Sequence, residues 1–207
     1  MAVAKNMVDT KLLGSILIAH LLLYITFRDI SVFWYLYSGA MLFLISYTVF
    51  LGKSEKHEKL PYLQLLLYGI FSGFLLYIIF RIGNTVLGFL PGGLDNEVAR
   101  AYRRFSPETF WHYLALVLIL IPGEEIFWRS FVQTRLMKRM EAKYAILISA
   151  VLNASVYFYC GLKIMVIAAF AGSIFWGLLY AKKRSLPAQI LSHLTFDLLL
   201  VVFLPIF

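Results

Sequence analysis

Three of the eleven acidic residues stand apart from the rest. Asp9, Asp29, Glu55, Glu58, Asp95, Glu97, Glu108 and Glu141 fall in loops or at segment ends, whereas Glu124, Glu125 and Asp197 border or interrupt long apolar runs. An ionisable group among lipid tails costs at least about 2.5 kcal/mol on insertion scales, so it faces protein or water and tends to have a task. Glu124 and Glu125 are neighbours, about 100° apart on a helix, and only Glu125 reaches Arg129 at i,i+4. Glu124 is then left without a cation, the condition that suits a general base taking a proton from water. The plainer alternative puts both carboxylates at the interfacial end of a span, where they begin an amphipathic segment.

His193 and Asp197 share one helix face at i,i+4 inside an otherwise apolar run from Leu186 to Phe207. Such a pair can polarise a carbonyl or hold a water, and can equally be a self-satisfied hydrogen-bonded pair locking two helices together. A Glu pair, an Arg and a His/Asp pair in two spans of a small chain together point to one intramembrane site.

The elements that must position these groups are membrane helices. The chain is 61% hydrophobic and 14% charged, far from the composition of soluble domains. Spans are predicted at about 12–27, 31–51, 62–80 with an extension to 90, 108–122, 144–160, 162–181 and 186–206, several of them shorter than the roughly 20 residues a helix needs to cross the hydrocarbon core. The expected fold is all-α, a polytopic bundle of seven to eight transmembrane helices forming a single integral membrane domain over residues 1–207. The N-terminal run lacks a small-residue cleavage site and is read as a retained span.

Hydrophilic joints are expected at 52–59, 91–108, 124–143 and 182–185. Ser106-Pro107-Glu108 has the form of a helix start, and Pro122-Gly123 is placed to kink the helix or divide it in two just before Glu124. With the N-terminus in the cytoplasm, thirteen of the nineteen basic residues, Arg129 among them, fall on that side, an excess of about two to one. The net charge of +8 therefore reports membrane orientation, and no nucleic-acid face is expected. The one cysteine, Cys160, excludes an intrachain disulfide and any CxxC site.

Glu124-Glu125-Ile126-Phe127-Trp128-Arg129 and His193-Leu194-Thr195-Phe196-Asp197 together resemble the EExxxR and HxxxN/D motifs of the CAAX protease and bacteriocin-processing family of intramembrane proteases. That family includes the type II CAAX prenyl endopeptidases. The Gly-rich penultimate span and basic turn in AFAGSIFWGLLYAKKRSLPAQILSH extend the similarity to about residues 108–200. The family's intervening FxxxH corresponds to Val156-Tyr157-Phe158-Tyr159-Cys160, with Cys160 in place of the histidine.

The resemblance implies that Glu124 activates a water, that His193 and Asp197 stabilise the oxyanion, and that Glu125 with Arg129 supports the site. Cys160, Asn153 and Tyr157 are candidate lining residues: the thiol of Cys160 is a weak water ligand, and Asn153 and Tyr157 share its helical face. His20, His112 and His57 read as structural, and the Asn153-Ala154-Ser155 sequon lies inside a span where no transferase reaches it.

Glutamate-dependent hydrolysis of a peptide bond near the membrane surface is the leading expectation, with no cofactor and no metal, since there is no HExxH. The alternative is a family member without catalysis that binds a partner protein or peptide in the same cavity. A carrier is disfavoured by the lack of paired broken helices in matching halves. Membrane lipid and a peptide or membrane-protein substrate or partner are expected, in the plasma membrane of a prokaryote.

Overall fold

The computed structural model describes residues 9–51, 58–89 and 91–206. Among them are eight principal helices and no strand: α1 (Thr10–Arg28), α2 (Phe33–Leu51), α3 (Tyr62–Leu87), α4 (Leu94–Phe105), α5 (Phe110–Met137), α6 (Ala142–Val156), α7 (Lys163–Lys183) and α8 (Leu186–Leu198). Seven of them, with the short turns that extend α2, α6 and α8, are long and apolar enough to cross a membrane. The expected helical membrane bundle is therefore what forms. The eighth, α4, is a helix where the sequence reading had only a joint.

Outward faces carry the side chains that a lipid solvent requires. Leu17, Leu67 and Leu118 are each 60% or more exposed along the spans, and Phe50, Tyr62, Phe89 and Phe110 stand exposed near span ends, where amphipathic or bulky rings mark the membrane interface. In the interior, α3 lies directly on α8. A Cβ on Gly69 would stand 2.6 Å from Leu191 Cγ, and one on Gly73 would meet the Ser192 carbonyl. Ser72 Oγ donates across the same contact to Ser192 Oγ at 2.8 Å. Small residues are what let two membrane helices approach this closely.

The end of the bundle where α1 starts is held by charge. Asp9 caps α1 by accepting from Leu12 N–H at 3.1 Å and pairs with Arg135 in the last turn of α5 at 3.1 Å and with Arg139 just beyond it at 3.4 Å. Burial alone would raise the Asp9 carboxyl, but the Leu12 N–H and the two guanidiniums outweigh it and hold it below the usual carboxylate value.

At the opposite end lies α4, amphipathic, entered through Gly93 in the left-handed conformation at φ 69°, which glycine adopts without penalty. Its Val98 is buried while Arg100, Arg103 and Arg104 are exposed. Glu97 accepts from the Ile164 N–H at 3.0 Å and so caps α7. Tyr102, whose phenol is pushed up to about 12 by burial, donates to the Leu200 carbonyl at 2.7 Å.

The largest departure from the sequence reading is α5. It begins at Phe110, with Thr109 as the cap accepting from His112 N–H, rather than at Ser106-Pro107. It then continues as one helix through Pro122 to Met137, so 124–137 is the second half of a span and not a joint. Proline has no N–H to give and its ring crowds the carbonyl four residues back. The helix accommodates this by widening into π-type turns over Leu116–Leu120, and a second wide stretch follows over Glu125–Gln133. Wide turns of this kind absorb local strain without ending a helix and recur at functional sites. Of the joint at 52–59, residues 52–57 lie outside the described residues.

Candidate active site

Because α5 runs unbroken, its two glutamates sit mid-helix and face different neighbours. Glu125 points into the packed interior, where it is wholly buried. Its Oε1 lies 2.8 Å from His193 Nδ1 on α8, and its Oε2 lies 3.3 Å from Arg129 Nε. The second contact is an ion pair without hydrogen-bond alignment, since both atoms lack a hydrogen-bond partner among the described residues. Arg129, the i,i+4 partner expected for Glu125, is buried with it inside the span, 1% exposed, rather than in a hydrophilic joint.

The His193 ring is fixed from a second side by α7. Its plane stacks on Trp176 with centroids 3.8 Å apart and 29° between planes, and the Arg129 guanidinium lies 5.8 Å from the same Trp176 ring. Trp176 is itself anchored, donating from Nε1 to Ser192 Oγ at 3.2 Å while its carbonyl accepts from Gln189 Nε2 at 2.8 Å. Gln133 Nε2 completes the frame, donating to the Gly177 carbonyl at 2.8 Å. With Nδ1 committed to Glu125, the free edge of the imidazole is Nε2, which lies 3.7 Å from Asp197 Oδ2.

Glu124 faces the other way, into a cavity of about 260 Å³ between α2, α5, α6, α7 and α8, bounded at one end by α4. Its charged and polar lining includes Tyr37, Glu124, Asn153, Tyr157, His193 and Asp197, and most of the remainder is apolar, including Phe33, Phe105, Leu120 and Met165. Glu124 Oε1 accepts hydrogen bonds from the Tyr37 hydroxyl and, at 3.1 Å, from the Tyr157 hydroxyl. Asn153, 3% exposed, donates to Ser173 Oγ at 2.7 Å, which leaves its buried Oδ1 without a partner among the described residues.

Of the residues singled out from sequence, Glu124, His193, Asp197, Asn153 and Tyr157 line this cavity, with Glu125 and Arg129 directly behind His193. Cys160 is placed elsewhere. It ends the helical turn after α6, its thiol faces the Leu162 carbonyl at 3.7 Å, and it is not among the cavity's lining residues. The side chain of this segment that reaches Glu124 is Tyr157, in the turn just after α6 and four residues beyond Asn153. Cys160, expected from sequence at the histidine position, therefore does not face Glu124, whereas Tyr157 does.

Tyr37, Trp176, Gln133 and Gln189 were not anticipated. Tyr37 is one of thirteen tyrosines, and nothing local distinguishes it. Gln189 did carry a signal: with His193 and Asp197 it repeats every four residues, a polar stripe on an apolar helix.

Residues 106–199 match the family model described as Type II CAAX prenyl endopeptidase Rce1-like. The matched segment contains both glutamates, Arg129, Asn153, Tyr157, Trp176, His193 and Asp197, so the resemblance seen in the two motifs holds over this part of the chain. No curated protein and no solved structure matched the chain.

Proposed function

We propose that this membrane protein, whose residues 106–199 are those of the Rce1-like intramembrane protease family, hydrolyses a peptide bond in the cavity beside Glu124. The observation that carries the reading is the division of labour between adjacent carboxylates. Glu125 is spent on His193 and Arg129, while Glu124 is held by hydroxyls and presented to the cavity.

In the reaction, Glu124 takes a proton from a water whose oxygen attacks the substrate carbonyl. The carbonyl π electrons become an oxyanion, for which the imidazolium form of His193, with Nδ1–H on Glu125 and Nε2–H toward the cavity, is the donor, with Asp197 beside the latter nitrogen. As the C–N bond breaks, its electron pair returns to nitrogen, which receives the proton held by Glu124. Asn153 Oδ1, buried and without a partner among the described residues, suits a substrate backbone N–H. General-base and oxyanion groups of this type each contribute about 10²-fold or more. No cofactor or metal enters the scheme. Peptide or membrane-protein substrates, a prokaryotic plasma membrane and a cytoplasmic N-terminus belong to the same reading.

A second reading, binding of a partner without cutting, is favoured by one observation: the position opposite Glu124 holds a tyrosine rather than a histidine. Mass spectrometry of membranes carrying wild type or Glu124→Ala separates the two. Endogenous product peptides lost in Glu124→Ala support hydrolysis. Identical profiles, with a partner that copurifies with both forms, support binding alone.

A further inference from the structure

Glu124 is held by two phenols that come from different helices. Tyr37 on α2 and Tyr157 in the turn ending α6 both donate to Glu124 Oε1, and their own oxygens lie 3.2 Å apart. Three oxygens thus form a closed triangle at the cavity wall. With Glu124 ionised, two protons serve three edges: both phenols donate to the carboxylate, and the phenol–phenol edge carries none. A third proton, arriving on Oε1, completes the ring. Glu124 then donates to one phenol, that phenol to the other, and the second back to Oε1. The carboxylate can therefore be charged or protonated with no phenol proton left idle, in a wall where an unmade hydrogen bond is costly.

We propose that Tyr37 and Tyr157 are positioning residues for Glu124, fixing its Oε1 edge against the wall and holding the proton that it takes from water until the departing amine receives it. This rests on the peptidase reading above. Proton and electron pairs balance as in that scheme: the water O–H bond breaks and a C–O bond forms, the C–N bond breaks, and the phenols end the cycle as they began it. The hydroxyls of both tyrosines are otherwise without a structural task, since among the described residues each is bonded only to the other and to Glu124.

The test compares Glu124→Gln, Tyr157→Phe, Tyr37→Phe and Tyr157→His in the same membranes, with release of endogenous product peptides quantified against isotope-labelled standards and thermal unfolding of each purified variant in detergent. Glu124→Gln is expected to abolish release. Tyr157→Phe is expected to lower it about 10²-fold, and Tyr37→Phe by a similar or smaller factor, with unfolding temperatures close to wild type. Tyr157→His, which restores an N–H donor at the same place, is expected to recover release to within about 10-fold of wild type, a rescue that a packing role would not produce. Should Tyr157→Phe fail to fold, Tyr37→Phe decides. Wild-type or raised release in both Phe variants, with Glu124→Gln inactive, overturns this inference and leaves the peptidase reading standing. Release unaffected by Glu124→Gln removes both.

Discussion

His193 Nδ1 lies 2.8 Å from Glu125 Oε1, and both side chains are buried, so the orientation of the imidazole is set by a carboxylate 68 residues away on another span. Arg129 depends on the same carboxylate from the opposite side. Removing Glu125 strands a guanidinium and an imidazole in the interior at once. Glu125→Ala is expected to destabilise the protein by about 3–5 kcal/mol, the cost of leaving buried charge uncompensated. Glu125→Gln, which keeps an acceptor for His193, is expected to cost less. Denaturant or thermal unfolding in detergent gives both values, and equal stability of Glu125→Ala and wild type would contradict the pairing.

Trp176 supports His193 through its ring face and its Nε1 hydrogen bond to Ser192. Trp176→Phe keeps a ring but loses the donor and part of the stacked surface. A loss of roughly 1–2 kcal/mol in stability is expected from the hydrogen bond and the ring contact together, with a larger fall in product release than in stability, because the imidazole is left free to turn.

Helix packing makes a sharper contrast. Gly73→Val places atoms against the Ser192 carbonyl on α8 and is expected to prevent accumulation of folded protein, whereas Gly83→Ala, where nothing lies within 4 Å of the new Cβ, is expected to be neutral or stabilising by up to about 1 kcal/mol. Expression level and fluorescence-detected size exclusion distinguish the two.

Asp9 gives a pH dependence with a definite sign. Its carboxyl is held below the usual value in the fold, the burial that would raise it being outweighed by Leu12 N–H, Arg135 and Arg139. Its contribution is therefore present above the unfolded-state pKa and is lost as pH falls through the lowered folded-state value. Asp9→Asn is expected to loosen α1 at neutral pH by under about 1 kcal/mol, as for other partly exposed pairs. The difference from wild type should vanish in acid. Amide exchange in the first turns of α1, followed as pH is lowered, reads this directly.

Cys160 provides the negative counterpart to Tyr157. Its thiol faces the Leu162 carbonyl outside the cavity lining, so Cys160→Ala is expected to leave product release unchanged and Cys160→His to add nothing. An increase in Cys160→His would return the histidine position to the register first read from sequence.

Much of this was legible in the sequence because membrane helices advertise themselves. Apolar runs gave the seven spans, and charged residues inside apolar runs gave Glu124, Glu125, Asp197 and, through spacing, Arg129 and His193. Pro122 misled, since a helix interrupted by proline and glycine can either stop or widen, and the choice rests on packing against α2, α6 and α8. Helix α4 was missed because its amphipathic face lies on the bundle and not among lipid tails, so no long apolar run marks it. Tyr37 carries no local signal, being one aromatic residue in a chain with thirteen tyrosines and eighteen phenylalanines, and Tyr157 was reached only through the helical face it shares with Asn153. Their role appears only where α2 and α6 meet α5.

The central claim is that Glu124 activates water against a peptide bond, and heavy-oxygen labelling tests it most directly. Membranes carrying wild type or Glu124→Gln would be incubated in water enriched in the heavy oxygen isotope, and the C-termini of newly released peptides examined by mass spectrometry. Heavy oxygen in new C-terminal carboxylates from wild type, absent with Glu124→Gln, is the predicted result. Equal labelling from both, or none from either, would contradict the account.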